Sequence, residues 1–243
     1  MHVIKLDATD STNLYLKNLM LSKTLDDLTV VVAKVQTKGR GQMGATWQSL
    51  SGKNLTFSVL KKIDDFFVKD QFNLNIAVSL AIYNFLNDLD TPDLKIKWPN
   101  DIMSGTSKIC GILIENILQG QQIRASIIGI GLNVNQSDFP NLFNVSSLKL
   151  LLGKSFNLEY LLNKLLESLG HFFKLLELGK TGELKESYLR VLFMKGETGN
   201  FQEPNGHRFM ATIQGISENG RLQMLLKNGL VQEFDTKEIK LIY

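Results

Sequence analysis

Apolar residues along this chain recur at two different periods, and the switches between them mark the elements. In residues 71–89, Ile76, Leu80 and Tyr83 fall at helical spacing with Ala77, Ala81 and Phe85 beside them, which predicts an amphipathic helix. Residues 157–178 repeat that pattern more strongly, with Leu158, Leu161, Leu162, Leu165, Leu169, Phe172, Phe173 and Leu176 on one face. A further helix is read over 181–193. The cluster Asp10-Ser11-Thr12-Asn13 precedes Leu14, Leu16, Leu19 and Met20 and caps a first helix, and capping alone would account for Ser11. Strand-like runs fall at 28–35, 54–60, 94–98, 109–118 and 123–132. Gln119-Gly120-Gln121-Gln122 between the last two predicts a hairpin of well-buried strands, so the core sheet should be antiparallel or mixed.

Beyond residue 193 the rhythm changes. Gly196, Gly199, Gly206, Gly215, Gly220 and Gly229 punctuate short β-like runs such as 209–216 and 222–227, the pattern of a small β-barrel. Strands, then helices, then short strands predict an α+β main domain over residues 1–193 and an all-β unit over 194–243.

Composition narrows the classes. A hydrophobic content of 44% over 243 residues supplies a buried core, and a net charge of +3 with scattered lysines gives no nucleic-acid footprint. Cys110 is the only cysteine and sits in an apolar run, which argues against disulfides and fits a reducing cytoplasm. The start, MHVIKLDATDST, lacks a basic n-region followed by an apolar h-region, and no uninterrupted apolar stretch is long enough to span a bilayer. A cytoplasmic protein without membrane contact is expected.

The densest chemistry lies at 36–49, QTKGRGQMGATWQS, directly after a predicted strand. Gly39, Gly41 and Gly44 let backbone N–H groups approach a ligand, and Arg40 offers a planar charged fork for phosphate or carboxylate. The same residues match G-x-G-x-x-G, but a strand-like run follows where a helix is required, so a dinucleotide fold is not predicted. Lys97-Trp98-Pro99-Asn100-Asp101 ends a strand in a proline and throws Asn100 and Asp101 into a turn. Lys108 stands at the mouth of a buried strand, where its ammonium can reach a site while its stem packs. GIGLNVN, ending in Asn133-Val134-Asn135, brings small residues and two amides to the close of the second hairpin strand, either for a ligand lying on the backbone or as a β-bulge.

In order and at these spacings, QTKGRGQMGATWQS, KWPND, KICGILIEN and GIGLNVN, with DSTN at the start and the C-terminal β unit, resemble the biotin protein ligases, or biotin-[acetyl-CoA-carboxylase] ligases. The resemblance implies a mixed sheet with flanking helices of the class II aminoacyl-tRNA synthetase and biotin-lipoate ligase kind, followed by an SH3-like barrel. It implies an ATP-dependent ligase: biotin and ATP, with Mg2+, give biotinyl-5′-AMP and pyrophosphate, and a lysine of a biotin carboxyl carrier protein of acetyl-CoA carboxylase or a related carboxylase then takes the biotinyl group. By position in the motifs, Ser11, Thr12, Asn13, Gln36, Gly39, Arg40, Gly41, Gln42 and Lys108 would hold biotin. Arg40, Trp47, Asn100, Lys108 and Asn133 would hold the nucleotide. Arg40 and Lys108 would oppose the charge developing at the α-phosphate. Asp101 could orient Lys108, assist magnesium, or accept the proton of the incoming amine, and Trp47 could equally be a core anchor. The glycines would act as hinges of a loop that orders over the adenylate.

Two departures qualify the resemblance. Many family members carry GRGRRGR, whereas Gln42, Met43 and Ala45 replace three basic positions here, which implies weaker loop electrostatics and easier release of the adenylate. DSTN begins at residue 10, so no helix-turn-helix domain precedes it and DNA binding is not expected. A homodimer through the sheet is compatible with the family. Gly179-Lys180-Thr181 imitates the end of a P-loop but follows a helix, and reads as a helix C-cap; His2, His171 and His207 lack ligand spacing, so no dedicated metal site is expected. Rival readings are a lipoate or octanoate ligase, a non-catalytic protein that binds biotin or biotinyl-AMP, and a carrier-binding adaptor.

Overall fold

The computed structural model describes residues 2–140 and 142–242. The chain runs through β1 (His2–Thr9), α1 (Thr12–Ser22), β2 (Thr29–Gln36), β3 (Leu55–Lys62), α2 (Gln71–Asn87), β4 (Leu94–Lys97), β5 (Asp101–Ser104), β6 (Ser107–Gln119) and β7 (Gln122–Leu132). It continues through α3 (Leu148–Leu152), α4 (Leu158–Glu177), α5 (Thr181–Arg190), β8 (Thr198–Gln202), β9 (Arg208–Ile216), β10 (Leu222–Leu226), β11 (Val231–Phe234) and β12 (Lys240–Ile242). The first seven strands form one sheet in the order β1-β2-β3-β7-β6-β5-β4, parallel only between β1 and β2. The last five form a separate antiparallel sheet, β11-β10-β9-β8-β12. A mixed sheet with flanking helices and a small C-terminal β unit is the class the sequence pointed to.

The two faces of the large sheet are covered unequally, and that positions the site. Side chains alternate across a pleated strand. Phe57 and Val59 of β3, Ile112 of β6, and Ile128 and Ile130 of β7 therefore share one face and pack into the main core with α2 and α4. α2 is buried nearly all round, including Leu74, Ile76, Ala77, Val78, Leu80, Ala81, Ile82, Phe85 and Leu86, as expected of a helix between a sheet and a second helix layer. α1 covers one end of the opposite face, where Leu16 packs with Val31, Leu60, Ala125 and Ile127. Farther along the same strands that face is left open.

Boundaries moved where tertiary contacts outweighed local pattern. The predicted helix over 181–193 stops at Arg190, because Ile96 N–H donates to Val191 O (2.9 Å) and Phe193 N–H to Ile96 O (2.9 Å), tying the tail to β4. The hairpin turn tightens to Gly120-Gln121, with Gln119 facing Gln122 and Gly120 at φ 60°. Asp101 is the first residue of β5, paired with Lys97, so the turn holds only Trp98, Pro99 and Asn100; the placement of Asp101 in the turn is corrected. The bulge considered for residues 129–135 is absent from β7 there, and the irregularity of that hairpin lies at Ile117/Leu118. Gly179, at φ 71°, ends α4 with Lys180 N–H donating to Leu175 O (3.0 Å), a C-cap as expected. β1, β5 and the five-residue α3 were not anticipated.

Candidate active site

On the open face the alternation of β3, β7 and β6 brings Ser58, Gly129, Gly131, Gly111, Leu113 and Glu115 side by side. Thr12 and Asn13 reach over them from the first turn of α1, and Gln36 comes from the end of β2. Ser11 stands at the N-cap of α1, yet its side chain makes no capping hydrogen bond, so capping does not explain it. A cleft of about 230 Å³ lies above this floor, lined among others by Ser11, Thr12, Asn13, Gln36, Arg40, Trp47, Asp101 and Lys108.

The floor is wired by short hydrogen bonds. Thr12 N–H donates to Gln36 Oε1 (2.8 Å), Ser58 Oγ lies 2.7 Å from Thr12 Oγ1 and 2.6 Å from Asn13 Oδ1, and Asn13 Nδ2 donates to Glu115 Oε2 (2.7 Å). Thr12, Asn13 and Ser58 are all buried, so such groups are tolerated only because each is paired.

The glycine loop is tied down at its base and closes on itself. Trp47 N–H donates to Gly39 O (2.9 Å), Gly41 N–H to Ala45 O (2.7 Å), and Arg40 bridges Thr46. Gly44 at φ 80° and Met43 at φ 53° form the tip, while the buried Gly39 is demanded by close approach, since a Cβ there would meet the Trp47 carbonyl. Gly44 alone of the three loop glycines takes the left-handed region.

Trp47 folds back over the sheet. Gly131 and Gly111 face each other across β7 and β6, and a Cβ at Gly131 would overlap the indole, while one at Gly111 would lie 3.2 Å from Trp47 Cζ3. A paired-glycine gap in the side-chain layer thus seats an aromatic plane flat on the backbone. Gly131→Ala is expected to lift the indole and lower stability by about 1–3 kcal/mol, as overpacking does. Near-UV circular dichroism and urea unfolding read the two effects; an unchanged Trp47 signal would refute the seating.

Two cations enter the cleft, Arg40 beside the floor and Lys108 beside Trp47. Lys108 Nζ sits 2.6 Å from Asp101 Oδ1 and 5.7 Å from the Trp47 ring centroid, a cation held by a carboxylate and an aromatic face together. Arg40 of the glycine loop has Nη2 3.5 Å from Glu115 Oε2 and remains 44% exposed, so it is free to turn to an incoming anion. The neighbouring Cys110 is fully buried, and burial pushes its thiol well above the usual range; it is not a nucleophile at neutral pH.

Of the residues singled out from sequence, Ser11, Thr12, Asn13, Gln36, Arg40, Gly41, Gln42, Trp47, Asn100, Asp101 and Lys108 line one cleft. Asn100 donates its side-chain amide to Ile112 O (2.6 Å), which pins the turn to β6. Gly39 lies at the base of the loop against the Trp47 backbone. Asn133 does not line the cleft: it is 3% exposed and its Nδ2 donates to Ser146 O (3.0 Å). Ser58, Glu115 and the pair Gly111/Gly131 were not identified from sequence. The one signal for Ser58 is a hydroxyl inside an apolar strand.

Residues 6–133 match the sequence profile of the Biotin/lipoate A/B protein ligase family, more than half of the chain. The chain belongs to the biotin/lipoate A/B protein ligase family. Among curated members, it is 34% identical over 142 residues to the bifunctional ligase/repressor BirA of Bacillus subtilis, which covers 58% of this chain and 43% of that protein. It is 29% identical over 213 residues to biotin–protein ligase 2 of Arabidopsis thaliana, 84% of this chain and 64% of that one. The chain thus spans less than two thirds of the length of these relatives. Among solved structures, the biotin protein ligase of Aquifex aeolicus in complex with biotin and ATP superposes with a TM-score of 0.83 at 27% identity, covering 99% of this chain and 98% of that one. The family match runs from β1 to the residue after β7 and so takes in every cleft residue named above.

Proposed function

We propose that this chain activates biotin with ATP and transfers the biotinyl group to a lysine of a carrier protein. The observation that carries the reading is one cleft that joins a hydrogen-bonded floor, with Arg40 against its Glu115, to Lys108 and a seated tryptophan.

In this reading Ser11, Thr12, Asn13 and Gln36 take the ureido ring, and the biotin carboxylate lies toward Arg40 and Lys108. The carboxylate oxygen attacks the α-phosphorus of ATP, a C–O–P bond forms, and the bond to the pyrophosphate oxygen breaks. Approach of two anions is the barrier, and fixed cations aimed at the crowded oxygens lower it. Asp101 is a positioning residue that holds Lys108 on the Trp47 face. The nucleotide base lies against Trp47, with the side-chain oxygen of Asn100 as acceptor. In the second step a neutral lysine amine attacks the acyl carbon, AMP leaves, and the amine proton passes to a base. Among the described residues no group of three or more acidic, His or Cys side chains is placed to hold a metal. Mg2+ bound with the triphosphate would offset phosphate charge, and Asp101 is the cleft-lining carboxylate that would help hold it.

The same reading gives the chemistry to residues 1–193 and an accessory role to the barrel of 194–243, which docks where Trp98 Nε1 donates to Gly220 O (2.8 Å). Among the described residues no helix is long and apolar enough to cross a membrane. The deciding assay is exchange of labelled pyrophosphate into ATP with biotin, lipoate or octanoate. Exchange with biotin alone is expected. Exchange with lipoate would move the chain to the sister activity, and exchange with no acid would leave a binding protein.

A further inference from the structure

The hydrogen-bonded floor of the cleft has a proton direction, and one residue sets it. An ionised carboxylate only accepts, so Glu115 obliges Asn13 to turn Nδ2 toward it (2.7 Å), with Leu113 O at 3.4 Å as second acceptor. Asn13 Oδ1 then faces Ser58 Oγ at 2.6 Å, and because that oxygen carries no proton, the Ser58 hydroxyl must donate to it. Ser58 has no second proton for Thr12 Oγ1, 2.7 Å away, so Thr12 donates to Ser58. With its only proton used, Thr12 Oγ1 cannot also donate to Gln36 Oε1 at 3.1 Å; that oxygen is held by the Thr12 N–H at 2.8 Å, and Gln36 Nε2 remains a donor.

We infer that Glu115 is a specificity-determining positioning residue: acting through Asn13 and Ser58, it fixes the Thr12 hydroxyl as an acceptor and Gln36 as a donor toward the cleft. This rests on the biotin reading and deepens it. A floor of that polarity fits a ligand end carrying an N–H beside a carbonyl, as in a cyclic urea, and leaves Thr12 and Gln36 unpaired against an aliphatic or dithiolane end. Unpaired buried polar groups are the strongest basis for rejecting an analogue.

The role is separable from the ion pair between Glu115 and Arg40. Glu115→Gln and Glu115→Leu both remove the charge facing Arg40, but Gln keeps a carbonyl oxygen for Asn13 Nδ2 and Leu does not. In the Leu variant Asn13 is free to flip, Ser58 to donate to Thr12, and Thr12 to turn its proton to the cleft. Titration calorimetry of the full chain with biotin and with lipoate, alongside thermal unfolding, tests this. Glu115→Leu is expected to weaken biotin roughly tenfold or more, Glu115→Gln to restore most of that loss, and lipoate affinity to change little. Ser58→Ala breaks the chain at its middle without touching either charge and should show the same loss, which covers the case of a misfolded Leu variant. Equal weakening in Gln and Leu would assign the effect to Arg40 and overturn the inference, as would biotin affinity indifferent to Leu and to Ser58→Ala. A wild-type chain that binds no biotin would sink the functional reading itself, and this inference with it.

Discussion

Lys108→Met is expected to lower biotin-dependent pyrophosphate exchange by roughly 10²–10³-fold, the loss seen when one preorganised group facing transition-state charge is removed. The methionine keeps the apolar stem that packs at the mouth of β6, so unfolding should be little affected. Asp101 Oδ1 at 2.6 Å and the Trp47 face at 5.7 Å hold the ammonium before any substrate arrives, so little reorganisation accompanies the charge build-up. Lys108→Arg should recover only part of the rate, because a planar fork cannot occupy the point held by Asp101 and the indole. Asp101→Asn separates positioning from charge: if Asp101 only orients Lys108, kcat falls by less than in Lys108→Met and the KM for ATP moves little. Exchange in Lys108→Met within about fivefold of wild type would remove Lys108 from the chemistry.

The parts legible from sequence were those in which residue type and spacing carry the physics locally. The arginine in a glycine loop, the lysine at a strand mouth and the polar run before α1 fall in the cleft because short segments place them there. What escaped depends on what lies across the sheet. Gly131 and Gly111 read as generic small residues until Trp47 is seen lying on them, and Glu115 reads as one more strand charge until Asn13 and Arg40 meet it. Asn133 is placed differently from the cleft-lining residues: it is buried just past β7 and its amide donates to the Ser146 carbonyl. The fold followed a similar division. The long apolar faces of α2 and α4 announced themselves, whereas β1 is an edge strand of alternating half-exposed residues whose pairing with β2 is non-local.

Lys61 was likewise invisible as anything but a strand-end lysine, and the second large prediction concerns it. Only 2% exposed on β3, it bonds Asp27 Oδ2 and Glu177 Oε1, both at 2.6 Å, and stands 5.7 Å from the Phe173 ring centroid. It ties the sheet to the end of α4. Burial pulls its pKa down, but the hydrogen bonds and charges of Asp27 and Glu177 outweigh that, and the net shift is upward from 10.5. The stability it contributes is therefore fully present below pH 10.5 and is lost as pH rises through the higher folded value. Lys61→Met should lower stability by only about 1 kcal/mol at neutral pH, because the carboxylates it abandons are 37% and 50% exposed and return to water. The double variant Asp27→Asn/Glu177→Gln should lose about 3 kcal/mol, because it strands the ammonium in the protein. Only the burial effect then remains, the folded pKa drops below 10.5, and stability must rise as pH climbs toward 10.5, the reverse of the wild-type trend. Urea unfolding of the three proteins from pH 7 upward measures both the size and the sign. A double variant no weaker than Lys61→Met, or one whose stability falls with pH as the wild type does, would show that the lysine is held by packing against Phe173 and not by its two carboxylates.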